Sequence, residues 1–482
     1  MAYRLSKSKI ISGMQCRKRL YLEIHRPDLI VISAQTEQLF QTGFQVGDIA
    51  RQLFAGGNLV ESQDDLSQAI EKTKHFLENS PDTPLYEGTF SFNGILIRAD
   101  ILEKATNGYR LVEVKSSTQV KDYHRIDAAI QTWVIEGSGY PLERAEIGHI
   151  DNSFVYQGNG NYSGLLKFED ITEAVKSLKQ DIPGLANEFV KMLEGDMPCI
   201  EVGVQCFDPF ECPFYGFCAP ETTEFPVHIL PWGRKVADQL IKEGIEDVRS
   251  IPEGRLQNPL HEKVRRVTIS GMPEVNNEIH NILKRFQYPR YYLDFETIQF
   301  AVPIWKGTRP YQQLPFQWSC HVEESAEAIR HEQFLDISGE APMRPLAEAL
   351  IETLDTVGPI FSYSPFENGV IDALSRFFPD LNKYLENIKN RLVDLLPILR
   401  RNYYHPDMKG SWSIKMVLPT IAPDMNYGDL QEVQDGTGAQ MAFLEAIHRE
   451  THDERRRELK ERMLKYCELD SLAMVKLVKY FG

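Results

Sequence analysis

The sequence predicts an α/β protein of more than one domain. Its 482 residues exceed what one ordinary core holds. Helices, strands, a helix and a strand follow one another in residues 1–220, and a second run of strands and then helices fills residues 288–482. Residues 221–287 between them are proline-punctuated and mostly helical, so the expected organisation is two α/β domains joined by a helical linker.

The elements follow in order. Residues 1–80 place apolar side chains at helical spacing, as in LFQTGFQVGDIARQLF. Residues 84–115 change to strand character, and GILIRADILEK followed by YRLVEVK reads as a hairpin turning at Asn107-Gly108. A helix is expected over 122–137, a strand near 145–152 and one long amphipathic helix near 170–195. VADQLIKEGIEDVRSIP has the pattern of two helices around a glycine turn and loosely resembles a helix-hairpin-helix. RYYLDFETIQF, PFQWSCHVEE and IRHEQFLD read as strands, then a helix at APMRPLAEALIETLD and a strand at PIFSY. A long charged helix, HDERRRELKERMLKYCELDSLAMVKLVKYF, ends the sequence.

Composition excludes some classes. With 42% hydrophobic and 25% charged residues, and no run of eighteen apolar residues, the chain is expected to have no membrane partner. No signal-peptide pattern precedes the first helix, so a cytoplasmic location is expected. Seven cysteines, an odd count in a chain this large, point to reduced thiols, some ligating metal. The net charge of −16 argues against attraction of nucleic acid by the whole surface. Local basic groups remain at Arg17-Lys18-Arg19 and at Lys263, Arg265, Arg266, Lys284 and Arg285.

Glu113 and Lys115 in VEVK project from one face of a strand, and Asp100 lies on its hairpin partner. Two carboxylates on adjacent strands can hold divalent ions such as Mg²⁺ or Mn²⁺, and the lysine can stabilise charge developing on a phosphoryl group. Glu87 on the preceding strand is a candidate third carboxylate. Gln131, one helical turn after Asp127, is placed to orient the lysine or a phosphate. An Asp followed about a dozen residues later by Glu-x-Lys is the PD-(D/E)xK arrangement. Further on, CFDPFECPFYGFC places Cys206, Cys212 and Cys218 with five residues between each and the next, three thiols of a site that wants four. The spacing lacks the CxxC knuckles usual for zinc, and Cys199 is one candidate for the fourth ligand. Cys320 and Cys467 read as ordinary structural cysteines.

Taken together, residues 1–220 resemble the RecB-like branch of PD-(D/E)xK nucleases, near the CRISPR-adaptation exonucleases and the C-terminal nuclease of AddB. That resemblance implies a restriction-endonuclease-like core with Asp100, Glu113 and Lys115 catalytic, Gln131 and Glu87 assisting, and Asp100 and Glu113 as metal ligands. It also implies a [4Fe–4S] cluster, with zinc as the alternative, held by the cysteine triplet and by Cys16 in ISGMQCRKRLYL. The family's early metal-ligating His is missing: Gln45 or Gly47 occupies that region.

A second constellation lies in residues 288–482. LDFET puts Asp294 and Glu296 on one strand face, SYSPFENGVIDAL puts Glu367 at a helix start, and YCELD puts Tyr466 and Asp470 on one helix face. Four acids can hold two Mg²⁺ about 4 Å apart, the arrangement used for in-line displacement at phosphorus. These residues resemble the DnaQ-like, RNase H-fold 3′–5′ exonucleases of the DEDDy type. By that resemblance Asp294, Glu296, Glu367 and Asp470 ligate metal and Tyr466 positions water. The usual Asp of the second motif is Glu367 here, Asp372 is a fallback, and Asp394 matches the Asp-containing segment that follows. The same region is similar to a bacterial domain family of unknown function found behind RecB-like nucleases. The expected function is therefore a metal-dependent nuclease acting on DNA in preference to RNA, with a catalytically impaired nucleic-acid-binding scaffold or a redox-gated regulator as the alternatives.

Overall fold

A computed structural model describes residues 5–61, 65–219, 223–425, 427–430 and 432–482. The chain is α/β with mixed sheets and divides into two compact units, Met1–Pro220 with Phe300–Gln312, and Glu221–Gln299 with Gln313–Gly482.

Unit 1 opens with β1 (Leu5–Ser6), α1 (Lys7–Gln15) and α2 (Arg17–His25). The Ser6 side chain accepts a hydrogen bond from the Lys9 amide and starts α1. Cys16, extended between the two helices, breaks them apart. Then come α3 (Ala34–Leu53), β2 (Asn58–Leu59), α4 (Leu66–Asn79), β3 (Leu85–Phe92), β4 (Ile95–Ala105) and β5 (Gly108–Lys115). Next are α5 (Asp122–Gly137), β6 (Leu142–Ile150), β7 (Leu166–Asp170), α6 (Thr172–Leu178), α7 (Ile182–Leu193) and α8 (Tyr215–Cys218). The strands form one sheet in the order β2–β3–β4–β5–β6–β7. The short β1 pairs in parallel with the start of β4, a stretch that β5, which pairs from Ile101 onward, does not reach. Strand β6 runs parallel to β5 after the α5 crossover.

Two expectations for this unit change in detail. The hairpin turns at Thr106-Asn107, because Gly108 already pairs with Ala105. Gly108 has φ +152, and a Cβ there would stand 2.4 Å from the Pro141 carbonyl oxygen, so glycine is needed at the pair rather than in the turn. The single helix expected over 170–195 is two, α6 and α7, broken at Lys179–Asp181 just before Pro183.

Unit 2 begins with α9 (Arg234–Lys242), α10 (Pro259–Ser270), β8 (Glu274–Val275) and α11 (Glu278–Leu283). Helix α10 has an Asn258 cap, Pro259 in its first turn and Gly271 left-handed at its end, the usual asymmetry of helix termini. The sheet strands follow: β9 (Arg290–Ile298), β10 (Leu314–Glu323), β11 (Ile329–Leu335), then α12 (Met343–Thr353) and β12 (Ile360–Ser362). The rest is α13 (Phe366–Phe377), α14 (Asn382–Asn390), β13 (Leu392–Asp394), α15 (Leu395–Asn402), β14 (Tyr403–Tyr404), α16 (Ile414–Ile421), α17 (Gly436–Ile447) and α18 (Asp453–Phe481). The sheet order is β11–β10–β9–β12–β13, antiparallel on the β11 side of β9 and parallel on the other.

Residues 221–287, expected as a linker, belong to the core of unit 2. Val227, Leu240, Val264, Ile279 and Leu283 pack with Leu395, Tyr403, Met474 and Val478 in one apolar cluster, and β8 pairs with β14. The two-helix reading of VADQLIKEGIEDVRSIP fails at its second half. After α9 and Gly244 the chain makes a single 3₁₀ turn, Val248–Ser250, capped by Asp247. Among the described residues no helix is long and apolar enough to cross a membrane.

Candidate functional site

In unit 1, β4 and β5 bring Asp100, Glu113 and Lys115 together, and α5 covers them with Asp127 and Gln131. Glu113 is 1% exposed. Its Oε1 accepts from Lys115 Nζ at 2.7 Å and from Lys7 Nζ at 2.8 Å, and its Oε2 accepts from Gln131 Nε2 at 2.6 Å. Lys115 also donates to Asp127 Oδ2 at 2.5 Å. Burial alone would raise the Glu113 carboxyl, but Lys115 and Lys7 outweigh it and hold the group well below the carboxylate range. Asp100 differs. It accepts from the Val114 amide at 2.7 Å, and burial with the nearby Glu113 charge pushes it up to about 8.

Lys7 is the residue that sequence reading missed here. It sits in the first turn of α1 and enters the site because β1 pairs with β4, a contact between segments ninety residues apart that no local pattern announces. Glu87 turns to Arg51, 3.5 Å away, from a left-handed backbone position (φ +56). Among the described residues no third acid, His or Cys joins Asp100 and Glu113 within 4.8 Å. In the segment where the family's His was sought, α3 carries Gln45 exposed.

Cys16, Cys206, Cys212 and Cys218 line one cavity of unit 1, with Lys18, Arg19, Leu22 and Phe214 around them. Cys199 is exposed and outside that lining, in which Cys16 joins the triplet. Burial first, partly offset by Arg19 at Cys212 and by Lys18 at Cys218, leaves both thiols above their ordinary value. Four reduced thiols beside two cations suit zinc or an iron–sulfur cluster in chemistry. Although all four line the cavity, among the described residues no three of these thiols lie within 4.8 Å of one another.

In unit 2 the second constellation gathers on one sheet face. Asp294 and Glu296 share that face of β9, and α18 lays Tyr466, Cys467 and Asp470 over it. One oxygen each from Asp294, Glu296 and Asp470 lies within 4.8 Å of the other two. Glu367, in the first turn of α13, is buried with its Oε2 unpaired. All four carboxyls are raised by burial first, and neighbouring acids raise Asp294, Glu296 and Glu367 further, with Glu296 and Glu367 at about 8. Tyr427 donates to Asp470 Oδ1 at 2.5 Å, Tyr466 also bonds Asp470, and the Cys467 thiol donates to Asp294 Oδ2 at 3.3 Å. Cys467, expected to be merely structural, therefore orients an acid of the cluster. Lys415 on α16 lies 4.9 Å from the Tyr466 ring and tempers Glu296 and Asp470.

Asp372, the fallback acid, is outside the cluster, paired with Lys389 and Arg376 at 2.7 and 2.6 Å. Asp394 caps α15 through the Leu396 amide, and its charge reaches Glu367. The basic groups read from the sequence are largely engaged within the protein. Arg17 pairs with Glu188, Arg19 with Glu23, Arg266 with Glu274, and Arg265 with Glu262 and the Ile251 carbonyl.

Residues 291–413 match a family model described as a domain of unknown function (DUF2779). No curated protein matches the chain. A solved structure described as "Crystal structure of SSO0001" aligns at 15% identity and a TM-score of 0.23, covering 45% of this chain and 87% of the other.

Proposed function

We propose that the chain is a metal-dependent phosphodiesterase, a nuclease favouring DNA over RNA, with its principal hydrolytic centre at Asp294, Glu296, Glu367 and Asp470. In this reading unit 2 is a DnaQ-type, RNase H-like domain and unit 1 a restriction-endonuclease-like, RecB-type domain. The observation that carries the proposal is the convergence of three carboxyls, Asp294, Glu296 and Asp470, with Glu367 near enough for its charge to raise Asp294 and Glu296 and with one of its own buried oxygens unpaired. Such a cluster is electrostatically unfavourable without a counter-charge, and among the described residues Lys415 is the cation that tempers Glu296 and Asp470. A divalent ion bound there would supply electrophilic activation of a phosphoryl oxygen. Asp294, Glu296 and Asp470 would hold it, with Glu367 completing the ring. Tyr427, Tyr466 and Cys467 fix the rotamers of Asp470 and Asp294, and Lys415 offers positive charge to a phosphate entering the cluster.

Unit 1 supports a second reading, as a binding element rather than a cutting one. Glu113 already holds Lys7, Lys115 and Gln131, so its carboxylate has partners without any metal. The four thiols act as a brace between α1–α2 and the Cys206–Cys218 loop, holding [4Fe–4S] by the family resemblance, with zinc as the alternative. Iron, acid-labile sulfide and zinc measured on anaerobically purified protein choose between them.

The test of the main reading is hydrolysis of labelled single- and double-stranded DNA and RNA in Mg²⁺ or Mn²⁺. It compares wild type, Asp294→Ala, Lys115→Ala and the double variant. Loss in Asp294→Ala with most activity kept in Lys115→Ala supports unit 2 as the centre. A double variant that cuts as fast as wild type overturns the proposal.

A further inference from the structure

A second group of metal-capable side chains lies on the same sheet face of unit 2 and takes no part in the carboxylate cluster. His321 on β10 and His331 on β11 are directly paired across the strands, and their rings stack with centroids 4.6 Å apart. Glu468 on α18 closes the group, its Oε1 3.8 Å from His331 Nδ1. A ring nitrogen from each histidine and a carboxylate oxygen of Glu468 lie within 4.8 Å of one another.

One assignment of the protons satisfies every hydrogen bond around these rings. Ser471 donates its one hydroxyl proton to the Glu468 carbonyl at 3.0 Å. Its oxygen must then accept from its two other neighbours, His321 Nδ1 at 2.9 Å and Ser319 Oγ at 2.7 Å. Ser319 has thereby committed its own proton, so it accepts from His331 Nε2 at 2.8 Å. That assignment leaves His321 a bare Nε2 and His331 a bare Nδ1, the latter 3.8 Å from Glu468 Oε1. Two lone-pair bearers at that distance are better accommodated with a cation between them. Metal-ligating histidines have this wiring: one nitrogen donates a hydrogen bond to a neighbour, which leaves the other free to bind the ion.

We propose that His321, His331 and Glu468 bind a zinc-class divalent ion, which pins α18 to β10 and β11. Two imidazoles and one carboxylate suit Zn²⁺ or Co²⁺ with an open fourth position, and suit Mg²⁺ poorly. His331 is 20% and the Glu468 side chain 46% exposed, so an ion and a water reach the site from solvent. Asp470 is two residues beyond Glu468 on α18, so the pin steadies the helix that supplies the carboxylate cluster.

The test uses the full chain, stripped with chelator and dialysed to equilibrium against Zn²⁺, with zinc per chain counted for wild type, His331→Asn and Glu468→Gln. His331→Asn is expected to carry one zinc fewer than wild type, and Glu468→Gln to bind that zinc about tenfold or more weakly. Cobalt-loaded samples separate the two sites: any sulfur-to-cobalt absorption from the cysteines should be equal in wild type and both variants. Equal zinc content in wild type and His331→Asn overturns the proposal. If His331→Asn does not fold, unchanged zinc affinity in Glu468→Gln overturns it in the same way. The outcome is independent of nuclease activity, because Asp294→Ala should leave this zinc in place.

Discussion

Glu113 of unit 1 and Glu296 of unit 2 are both buried acids on inner strands, yet they stand at opposite ends of the titration scale. Glu113 is held low by two ammonium groups and an amide, whereas Glu296 is pushed up to about 8 by burial and by acids around it. Burial is nearly the same in the two places; the neighbours differ. Unit 1 neutralises its acid with its own lysines, so the folded chain satisfies the site internally. Unit 2 assembles acids with one lysine nearby, and in the function proposed above a cation from outside would complete the site. The two catalytic motifs read from the sequence thus differ in what they require, although both are written in Asp and Glu.

The largest test of that contrast is activity. Asp294→Asn should lower Mn²⁺-dependent hydrolysis by about a hundredfold or more, exceeding the 10–100-fold typical of losing an outer partner. Glu113→Gln should cost much less. Equal losses from the two would erase the distinction. Stability should show the reverse bias. Lys7→Ala strips one of two cations from a buried carboxylate and should destabilise unit 1 by about 2–3 kcal/mol, read in urea unfolding. This is less than the 3–5 of a fully buried pair because Lys7 keeps 24% exposure.

Proton linkage sharpens the contrast further. Between the ordinary carboxylate range and about 8, folded Glu296 and Glu367 bind more protons than the unfolded chain does. Metal-free stability from these groups therefore falls as pH rises through that window. A divalent ion needs them ionised, so the rise in Tm produced by Mn²⁺ should grow from about pH 6 to about pH 8. In Asp294→Asn this growth should be much reduced, and a pH-independent Mn²⁺ shift in wild type would contradict the raised carboxyls. The smallest effect belongs to Asp372→Ala, which removes an exposed pairing with Lys389 and Arg376. Its Tm and its Mn²⁺ response should match wild type.

Much of this was legible in the chain itself. Alternation placed Asp294 with Glu296 and Glu113 with Lys115, and the helical repeat placed Tyr466 with Asp470, because each pair lies within one element whose period is local. The boundaries of α5 and α18 were legible for the same reason. Other features depended on segments far apart. Lys7 reaches Glu113 only through β1 on β4. Tyr427 reaches Asp470 from a different segment, and the family of residues 221–287 with the C-terminal core depends on apolar packing rather than on any motif. His321 and His331 are ten residues apart on strands whose register decides whether they meet. Sequence determined which residues share a face, because backbone periodicity is a property of neighbouring residues. Only the tertiary structure decided which faces meet, and with that which acids are neutralised by lysines and which are gathered with other acids, because charge compensation depends on distance in space.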